Sequence, residues 1–447
     1  MVHYATGDGP VASFDTGTWS PYDLAPKSVD PKRPSMTLMA CLVVAARNTA
    51  ISLSILSFLA VLPSANAFQS PDHGASWPTR DWEKAKPDSV GLDEKALTAF
   101  DVDLRSGKYG LVDTFAVFRC GKSVFEQKFP HDYGKIYGKE AKVRGPLNPR
   151  MTGPYNYFDP AWHPYYHGTD LHSMQSVSKT VSSVIWGVAI TRGDFKASLD
   201  TPLLHYFDEA KVKNVDERKR KITLRHVLTM TTGLDWNEEL AYDDPKNDAA
   251  VMEATDDWVK LVINRPVVKD PGTVFNYSSG TSELLAYIFQ KETGQDIEKY
   301  GEKYLFTPLG MDHFWKRTPQ GVVDTEGGLF LNGDDLAKIG YLYLHDGMWD
   351  GKQIVSKDWV KESLTPFIDA EEGFKYGFKW WLLPQKDRGG YVWMGRGFGG
   401  QRLMVFPDRD LIVTFTGWSI LKDPPSDQEF VGRILPAVRT AGCAAAP

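Results

Sequence analysis

The sequence predicts an α/β (α+β) protein whose main element is one antiparallel sheet, built from both chain ends and covered by helices. A pair of apolar segments joined by a short turn occurs near each end, and the windows between them have helical spacing. Of the 447 residues 42% are hydrophobic and 13% aromatic, which excludes a disordered chain and a multi-span membrane protein. The formal net charge of −6 provides no global basic field, so we expect no nucleic-acid partner.

The first 67 residues differ in pattern from the rest of the chain. Residues 1–35 mix Gly, Pro, Asp and Ser without periodicity, as a disordered tail or an overextended start would. The apolar segment 51–62 follows a basic residue and precedes an Ala-Asn-Ala site at 65–67, a pattern typical of a secretory signal peptide. We therefore expect a periplasmic or secreted mature chain that starts at Phe68 and has no stable membrane association. The alternative is an uncleaved membrane anchor over residues 36–62.

The three cysteines are too few for a disulfide framework and too scattered for a zinc site. Export would leave Cys120 and Cys443 in an oxidising compartment, where they could form one disulfide. Sequence alone does not show whether their Cα atoms lie within bonding distance. A bridge and two unpaired thiols therefore stay open as alternatives.

Two β-hairpins are predicted, one near each end of the globular part. Segments 114–118 and 123–129 flank a turn that contains Gly121. Segments 402–406 and 411–415 flank the turn sequence Pro-Asp-Arg-Asp. Because each hairpin lies next to a terminal helix, we expect both to join one antiparallel sheet.

Helical spacing of apolar residues predicts four helices: 93–105, 282–292, 334–344 and 426–435. We expect one domain over residues 68–447. A mainly helical subdomain would be inserted roughly at 175–330.

The strongest chemical signal lies in the segment that follows residue 171. Apolar residues at 177, 181, 184, 185 and 188 mark one helix face, with Ser176 at the helix start and Lys179 three residues later. This spacing brings the two side chains to one side of the first turn. A serine hydroxyl needs a nearby base to become a nucleophile, and a desolvated lysine can act as that base. Alone, the S-x-x-K pattern arises often by chance at solvated helix starts.

Further blocks accompany this motif in a fixed order. With them, the sequence resembles the serine β-lactamase and penicillin-recognising superfamily, particularly its class C-like branch of esterases and 6-aminohexanoate-dimer hydrolases. The resemblance extends from about residue 93 to residue 433. The blocks that carry it are residues 176–179, 222–234, 271–279, 327–337, 376–381 and 395–401.

The resemblance implies a hydrolase that works through an acyl-enzyme without metal or cofactor. Ser176 would be the nucleophile and Lys179 its base. Tyr277, at the first position of the family's Y-x-N, would relay a proton to the leaving group and later from water. We expect the adjacent lysine cation to favour the tyrosine anion. The backbone N–H groups of Ser176 and Phe398 would form the oxyanion hole.

Two positions depart from the family's lactamase pattern. Ser279 occupies the third position of Y-x-N, and Gly395 stands in place of the lysine of K-T-G, followed by Arg396 and Gly397. Both changes disfavour β-lactam recognition and leave acyl transfer intact. We expect Ser279, Arg396, Gly397 and Trp393 to contact the substrate, with Trp393 as a pocket wall. Arg396 would meet a carboxylate, or else be a solvated strand residue.

His163, His167 and His172 share one aromatic-rich loop without a carboxylate or cysteine at zinc-ligand spacing, and we interpret them as structural. The sequence as a whole predicts a serine hydrolase that cleaves amide or ester bonds of small molecules. One alternative is a β-lactamase or D-Ala-D-Ala peptidase. Another is a penicillin-binding sensor or pseudoenzyme that acylates without turnover. The sequence carries no signal for an oligomeric state.

Overall fold

The computed structural model describes residues 77–386, 388–422 and 424–443, which belong to one compact unit, Ser70–Pro447. The tail and signal peptide predicted for residues 1–67 lie outside the described residues. Among the residues described, no helix has the length and apolar character needed to cross a membrane.

A nine-stranded sheet is the central element of the described part of the chain. The strands in these ranges are β1 (Glu83–Lys84), β2 (Val112–Arg119), β3 (Lys122–Lys128), β4 (His172–Ser173), β5 (Phe314–Trp315), β6 (Leu329–Leu331), β7 (Met348–Trp349), β8 (Lys352–Gln353), β9 (Ile368–Asp369), β10 (Lys375–Tyr376), β11 (Trp381–Pro384), β12 (Tyr391–Gly397), β13 (Gln401–Phe406) and β14 (Leu411–Gly417). The order across the sheet is β1-β3-β2-β14-β13-β12-β11-β10-β9.

The two hairpins from opposite ends of the globular part meet in this sheet, as predicted. Strand β14 pairs antiparallel with β2, with Val413 opposite Val117. Cys120 and Gly121 both have left-handed backbone angles, φ 55° and 70°, and form the two-residue turn between β2 and β3. Such a turn matches the twist of the strands it joins. The sheet is not purely antiparallel, because the short edge strand β1 pairs parallel with β3.

Helices cover both faces of the sheet. The helices of the described residues, on the sheet and beside it, are α1 (Glu94–Arg105), α2 (Tyr133–Ile136), α3 (Val177–Arg192), α4 (Leu224–Leu228), α5 (Asp248–Glu253), α6 (Trp258–Ile263), α7 (Ser279–Thr293), α8 (Ile297–Gly301), α9 (Thr307–Leu309), α10 (Gly333–Leu344), α11 (Lys357–Ser363) and α12 (Asp427–Ile434). The four predicted helices correspond to α1, α7, α10 and α12 with ends shifted by a few residues. The Asp93 side chain caps α1 by accepting from the N–H groups of Lys95 and Ala96.

Each face of the sheet belongs to its own apolar core. On one face, Val413 and Phe415 of β14 pack in a core with residues of α1 and α12. On the other face, Ile412 belongs to a core that includes α3 and α10. Two-sided burial explains why these strands are apolar at nearly every position rather than at alternate ones.

Helix α3 is the link between the sheet and the helical region. It packs against β12 and β13 of the sheet and also against α7 and α8. The N-terminus of α3 lies beside the end of β12, where the glycine-rich segment 395–400 begins. The predicted boundaries of the helical subdomain, 175–330, stay a prediction.

Cys120 and Cys443 form a disulfide, with Cα atoms 5.5 Å apart. This bridge decides between the two alternatives that the sequence left open. It ties the turn between β2 and β3 to the C-terminal segment.

Candidate active site

Ser176 lies at the N-cap of α3, directly after Gln175, whose φ of 48° is left-handed. Two glycines allow this helix start to approach β12. A Cβ atom on Gly397 would lie 2.4 Å from the carbonyl oxygen of Met174, and one on Gly395 would lie 3.1 Å from Val177 Cγ1. Side chains at these positions would separate the strand from the helix, so the glycines place Ser176 next to the end of β12.

Lys179 points back along α3 to Ser176. Its Nζ lies 2.7 Å from Ser176 Oγ and 2.6 Å from the backbone oxygen of Glu326, to which it donates. The Glu326 carboxylate is 3.5 Å from the same nitrogen. The lysine side chain is only 1% exposed, so its amino group contacts these protein groups and not bulk water.

Tyr277 completes a group of three polar side chains, because its phenol lies close enough to Ser176 for that residue to lower the pKa of the phenol. Its ring lies 5.2 Å from Lys179 Nζ and stacks on Trp381 at 5.5 Å. Burial raises the pKa of Tyr277 well above its ordinary value, and the charge of Glu238 acts in the same direction. The neighbouring Ser176 opposes this rise in the pKa. The structure therefore favours the neutral phenol, which corrects the expectation that the lysine favours the anion.

Phe398 follows β12 and lines the same cleft as Ser176. In the hairpin of β12 and β13, Gly397 pairs with Gln401 next to the turn. The side-chain amide of Gln401 donates to the Phe398 carbonyl at 3.0 Å. Gln401 also bonds the backbone of Gly417 in β14, which fixes the loop to the sheet. Among the described residues, the backbone N–H groups of Ser176 and Phe398 donate to no protein acceptor. This placement is compatible with the predicted oxyanion hole.

The side chains of two predicted substrate contacts are elsewhere. Ser279 is 1% exposed, and its hydroxyl donates at 2.6 Å to Glu238, which covers it from the cleft side. Trp393 pairs with Leu382 and Val405 within the sheet and packs against the core that contains α3. Neither residue lines the cleft, because the helix start and the strand register turn both side chains inward.

Arg396 and Gly397 do line the cleft, but Arg396 is already engaged. Its Nε is 2.6 Å from Asp427, and its terminal nitrogen donates to Glu372 at 3.1 Å. The guanidinium also lies 4.6 Å from the centre of the Trp381 ring. The expectation that Arg396 is open to a substrate carboxylate is therefore corrected.

Glu238 organises the wall of the cleft and was not identified from the sequence. Its carboxylate accepts from the Ser279 hydroxyl and backbone N–H, from the Tyr242 hydroxyl and from the Trp236 indole, all at 2.6–2.7 Å. Tyr242 in turn packs on Phe398 with ring centres 4.6 Å apart. Glu238 lies in a loop without periodicity, so no sequence pattern indicated it.

Lys379 is a second buried lysine that the sequence did not single out. Burial lowers its pKa well below the ordinary value, and the nearby Lys179 charge adds to the shift. Its Nζ donates to Ser282 Oγ at 3.1 Å, and Thr180 of α3 donates to its backbone carbonyl. We interpret it as a neutral amine that supports the packing of α3.

The cleft in front of Ser176 has a volume of about 780 Å³. Aromatic residues form part of its wall, including Tyr242, Phe275 and Trp381. Among the described residues, its lining contains two arginines, Arg396 and Arg402, and six carboxylate side chains: Glu238, Glu239, Asp369, Glu371, Glu372 and Asp427. Because Asp427 binds both arginines, the free charge presented to a ligand is negative.

His163, His172, Cys120 and Cys443 have structural contacts. His172 Nε2 lies 2.9 Å from Asp113, and His163 stacks on Trp418. In the ranges described, the one group of side chains close enough to share a metal ion is Cys120, Asp410 and Cys443. Both sulfur atoms of that group are bonded to each other in the disulfide.

Comparison with known proteins shows which family the chain belongs to. A family model described as Beta-lactamase matches residues 113–418. The chain belongs to the beta-lactamase family. A relative in this family is the 6-aminohexanoate-dimer hydrolase of Paenarthrobacter ureafaciens, 28% identical over 276 residues, which are 56% of this chain and 67% of the relative.

Solved structures of the family share the fold. A family VIII carboxylesterase aligns with a TM-score of 0.54 and 15% identity, over 77% of this chain and 96% of that structure. EstCE1, a hydrolase with promiscuous acyltransferase activity, aligns with a TM-score of 0.58 and 13% identity, over 79% and 99% respectively. The predicted fold class and family are thereby confirmed. Family membership supports a hydrolase.

Proposed function

We propose that the protein is a serine hydrolase that cleaves small esters or amides through an acyl-enzyme on Ser176. The observation that carries this proposal is the 2.7 Å distance between Lys179 Nζ and Ser176 Oγ, together with the position of Tyr277 beside the same two residues, its ring 5.2 Å from Lys179 Nζ. A nucleophile in contact with a base and a second proton-transfer group is the arrangement that acyl transfer requires.

The acylation step follows from these contacts. Ser176 Oγ adds to the substrate carbonyl carbon while its proton passes to the Lys179 amine. The N–H groups of Ser176 and Phe398 donate to the oxyanion. The proton then moves through the neutral Tyr277 hydroxyl to the leaving group, whose bond to the carbonyl carbon breaks. Lys179 returns to its starting state, and the acyl group stays on Ser176.

The cleft favours neutral or positively charged substrates. Its free carboxylates repel a substrate carboxylate, and the salt bridges of Arg396 remove the cation that would bind one. β-Lactams and D-Ala-D-Ala peptides carry such a carboxylate. We therefore place small esters and amides ahead of the β-lactamase and peptidase alternatives. The sensor alternative differs in turnover, which kinetics test directly.

An activity-based probe tests the nucleophile. A fluorophosphonate should label the wild type at Ser176, and Ser176→Ala should lose both labelling and ester turnover while keeping its melting temperature. Ser183→Ala is the matched control on the same helix, because the buried Ser183 hydroxyl has no hydrogen-bond partner among the described residues. It should label normally. Labelling at another serine would refute the proposal.

Substrate class is tested with a panel of p-nitrophenyl esters, short amides and nitrocefin. We expect turnover of esters, and higher kcat/KM for an ester with an ammonium group than for its carboxylate counterpart. Preference for nitrocefin over all esters would favour the lactamase alternative. Acylation without steady-state turnover would favour the sensor.

We also propose that the protein is exported, which the Cys120–Cys443 disulfide supports because such bonds persist in oxidising compartments. N-terminal sequencing of the protein from the periplasmic or medium fraction should give a start at Phe68. An intact N-terminus found only in membranes would favour the anchor.

A further inference from the structure

A second, much smaller cavity adjoins Ser176. Its volume is about 20 Å³, and its lining shares Ser176, Tyr242 and Phe398 with the large cleft. The nucleophile therefore lies between a cleft that admits a substrate and a cavity that has room for one water molecule.

Two acidic side chains line this small cavity. Glu253 and Glu326 are each 5% exposed, and both line this cavity but not the large cleft. A water molecule needs two to four polar partners to occupy a buried site, and the two carboxyl groups supply them.

The two acidic groups have different surroundings. Glu253 accepts a hydrogen bond from the Tyr157 hydroxyl at 2.5 Å, and burial together with the charge of Glu326 raises its pKa well above the ordinary value. Glu326 instead lies beside Lys179, with its carboxylate 3.5 Å from Lys179 Nζ. One group is thus suited to hold a water molecule, and the other is suited to deprotonate it.

We propose that this cavity holds the water that hydrolyses the acyl-enzyme, with Glu326 as its general base and Glu253 as its positioning partner. This inference rests on the proposed acyl-enzyme at Ser176. The water oxygen adds to the acyl carbonyl carbon as one of its protons passes to the Glu326 carboxylate. The bond between that carbon and Ser176 Oγ then breaks. The proton moves from Glu326 through Lys179 Nζ to Oγ, and the carboxylic acid leaves.

The position of the cavity also bears on the choice between hydrolysis and acyl transfer. An alcohol larger than water does not fit into 20 Å³ and must reach the acyl group through the open cleft. Water therefore has a separate route to the carbonyl carbon. Blocking that route should slow hydrolysis and leave transfer to an alcohol in place.

Two variants should prevent the attack of this water on the acyl-enzyme in different ways. Glu326→Gln removes the base, and Ala250→Val extends a cavity-lining side chain into the space without altering either carboxyl group. Glu253→Gln mimics a protonated carboxyl and should have a small effect. The matched control is Glu283→Gln, a buried carboxyl near Glu326 that does not line the cavity.

The readout is stopped-flow kinetics with p-nitrophenyl butyrate, combined with intact-mass detection of the butyryl adduct. In Glu326→Gln and Ala250→Val we expect a full burst, an accumulated adduct on Ser176, and deacylation slowed by ~10²-fold and at least ~10-fold respectively. Added 1-butanol should restore turnover and raise the ratio of butyl butyrate to butyric acid. Glu283→Gln should behave as wild type.

The inference is overturned if the wild type acylates on Ser176 but both variants deacylate normally, or if their burst and steady-state rates fall together without an adduct. Melting temperatures identify a variant that has lost its fold, in which case the other variant decides. Failure of the wild type to form any adduct on Ser176 would instead refute the proposed function itself.

Discussion

The burial of Tyr277 determines which proton transfers it can perform. Because desolvation holds the phenol neutral, it acts as an acid towards the leaving group once Lys179 has taken the proton of Ser176. A leaving group that is stable as an anion gains little from such an acid. A poor leaving group, such as an amide nitrogen, depends on it.

Tyr277→Phe should therefore lower activity to an extent that depends on the substrate. We expect kcat/KM to fall by ~10-fold for a p-nitrophenyl ester and by ~10²–10⁴-fold for an amide or alkyl ester. The phenyl ring can keep its stacking on Trp381, so the melting temperature should stay near that of the wild type. Tyr376→Phe, which alters another buried tyrosine beside Trp381, is the control. An equal loss for every substrate would contradict the assigned role.

Contacts between individual side chains could be predicted from the sequence where both residues lie on one turn of a helix. The three-residue spacing of Ser176 and Lys179 on one helix turn leads to the observed 2.7 Å contact. The direction of Ser279 was not predictable, because it depends on Glu238, which is 41 positions away in a loop. The engagement of Arg396 by Asp427 is likewise a long-range pairing that no local pattern encodes.

Among the elements, the contact between α3 and β12 positions the nucleophile. Gly397 is the closest point, since a Cβ atom there would overlap the Met174 carbonyl oxygen. A backbone atom cannot move aside as a flexible side chain can. Any side chain at 397 must therefore displace the strand that carries Phe398 relative to Ser176.

Gly397→Ala should accordingly lower both the melting temperature and kcat, with at least ~10-fold loss of kcat from the misplaced oxyanion donor. The control is Gly432→Ala in α12, where a Cβ atom would meet nothing within 4 Å. Because alanine favours a helix over glycine by ~0.5–1 kcal/mol, this variant should be as stable as the wild type or more so. Thermal melts and ester kinetics check both. Wild-type kcat in Gly397→Ala would contradict the fixed contact.

The hairpins and long helices were predictable because alternation, turn residues and helical spacing are local signals. The pairing of β14 with β2 followed from the argument that two hairpins next to terminal helices share a sheet. The parallel edge strand β1 was missed, since two residues, Glu83 and Lys84, show no alternation. The loop around Glu238 was missed for the same reason.

In the molecule as a whole, a group of buried carboxyls lies beneath the site. Burial raises the pKa of Glu253 and Glu283 well above the ordinary value and that of Asp324 to about 6. Lys316, 3.6 Å from Asp324, provides only part of the balancing charge. The fold therefore binds protons here more tightly than the unfolded chain does.

A carboxyl with a raised pKa contributes fully to the free energy of unfolding below its unfolded pKa, and this contribution is lost as pH rises through the folded value. Glu283→Gln replaces one such group with a neutral side chain of similar shape. We expect the melting temperature of the variant minus that of the wild type to increase from pH 5 to pH 8. Differential scanning fluorimetry across this range measures it. A difference that is constant or falls with pH would contradict the buried, proton-binding state of Glu283.

The two ends of the described chain are joined at one corner of the sheet. The Cys120–Cys443 disulfide spans 323 positions in sequence. Beside it, the buried Arg119 donates to the backbone carbonyls of Gly91, Arg409 and Thr440. The covalent bond and the hydrogen bond to Thr440 hold the same C-terminal segment against the turn between β2 and β3.

Cys443→Ser should lower the free energy of unfolding by ~2–4 kcal/mol, because a bond that closes so long a loop restricts the unfolded chain more than the folded one. The expected readout is a melting temperature several degrees below that of the oxidised wild type. Dithiothreitol should bring the wild type down to the variant's value and leave Cys443→Ser unchanged, which separates loss of the bridge from loss of the side chain. Ester turnover at 25 °C should stay near the wild-type rate, because the bridge lies on the turn between β2 and β3 and the catalytic serine lies beside β12. An oxidised wild type that melts with the variant would show that the hydrogen bonds of Arg119 are sufficient to hold this corner.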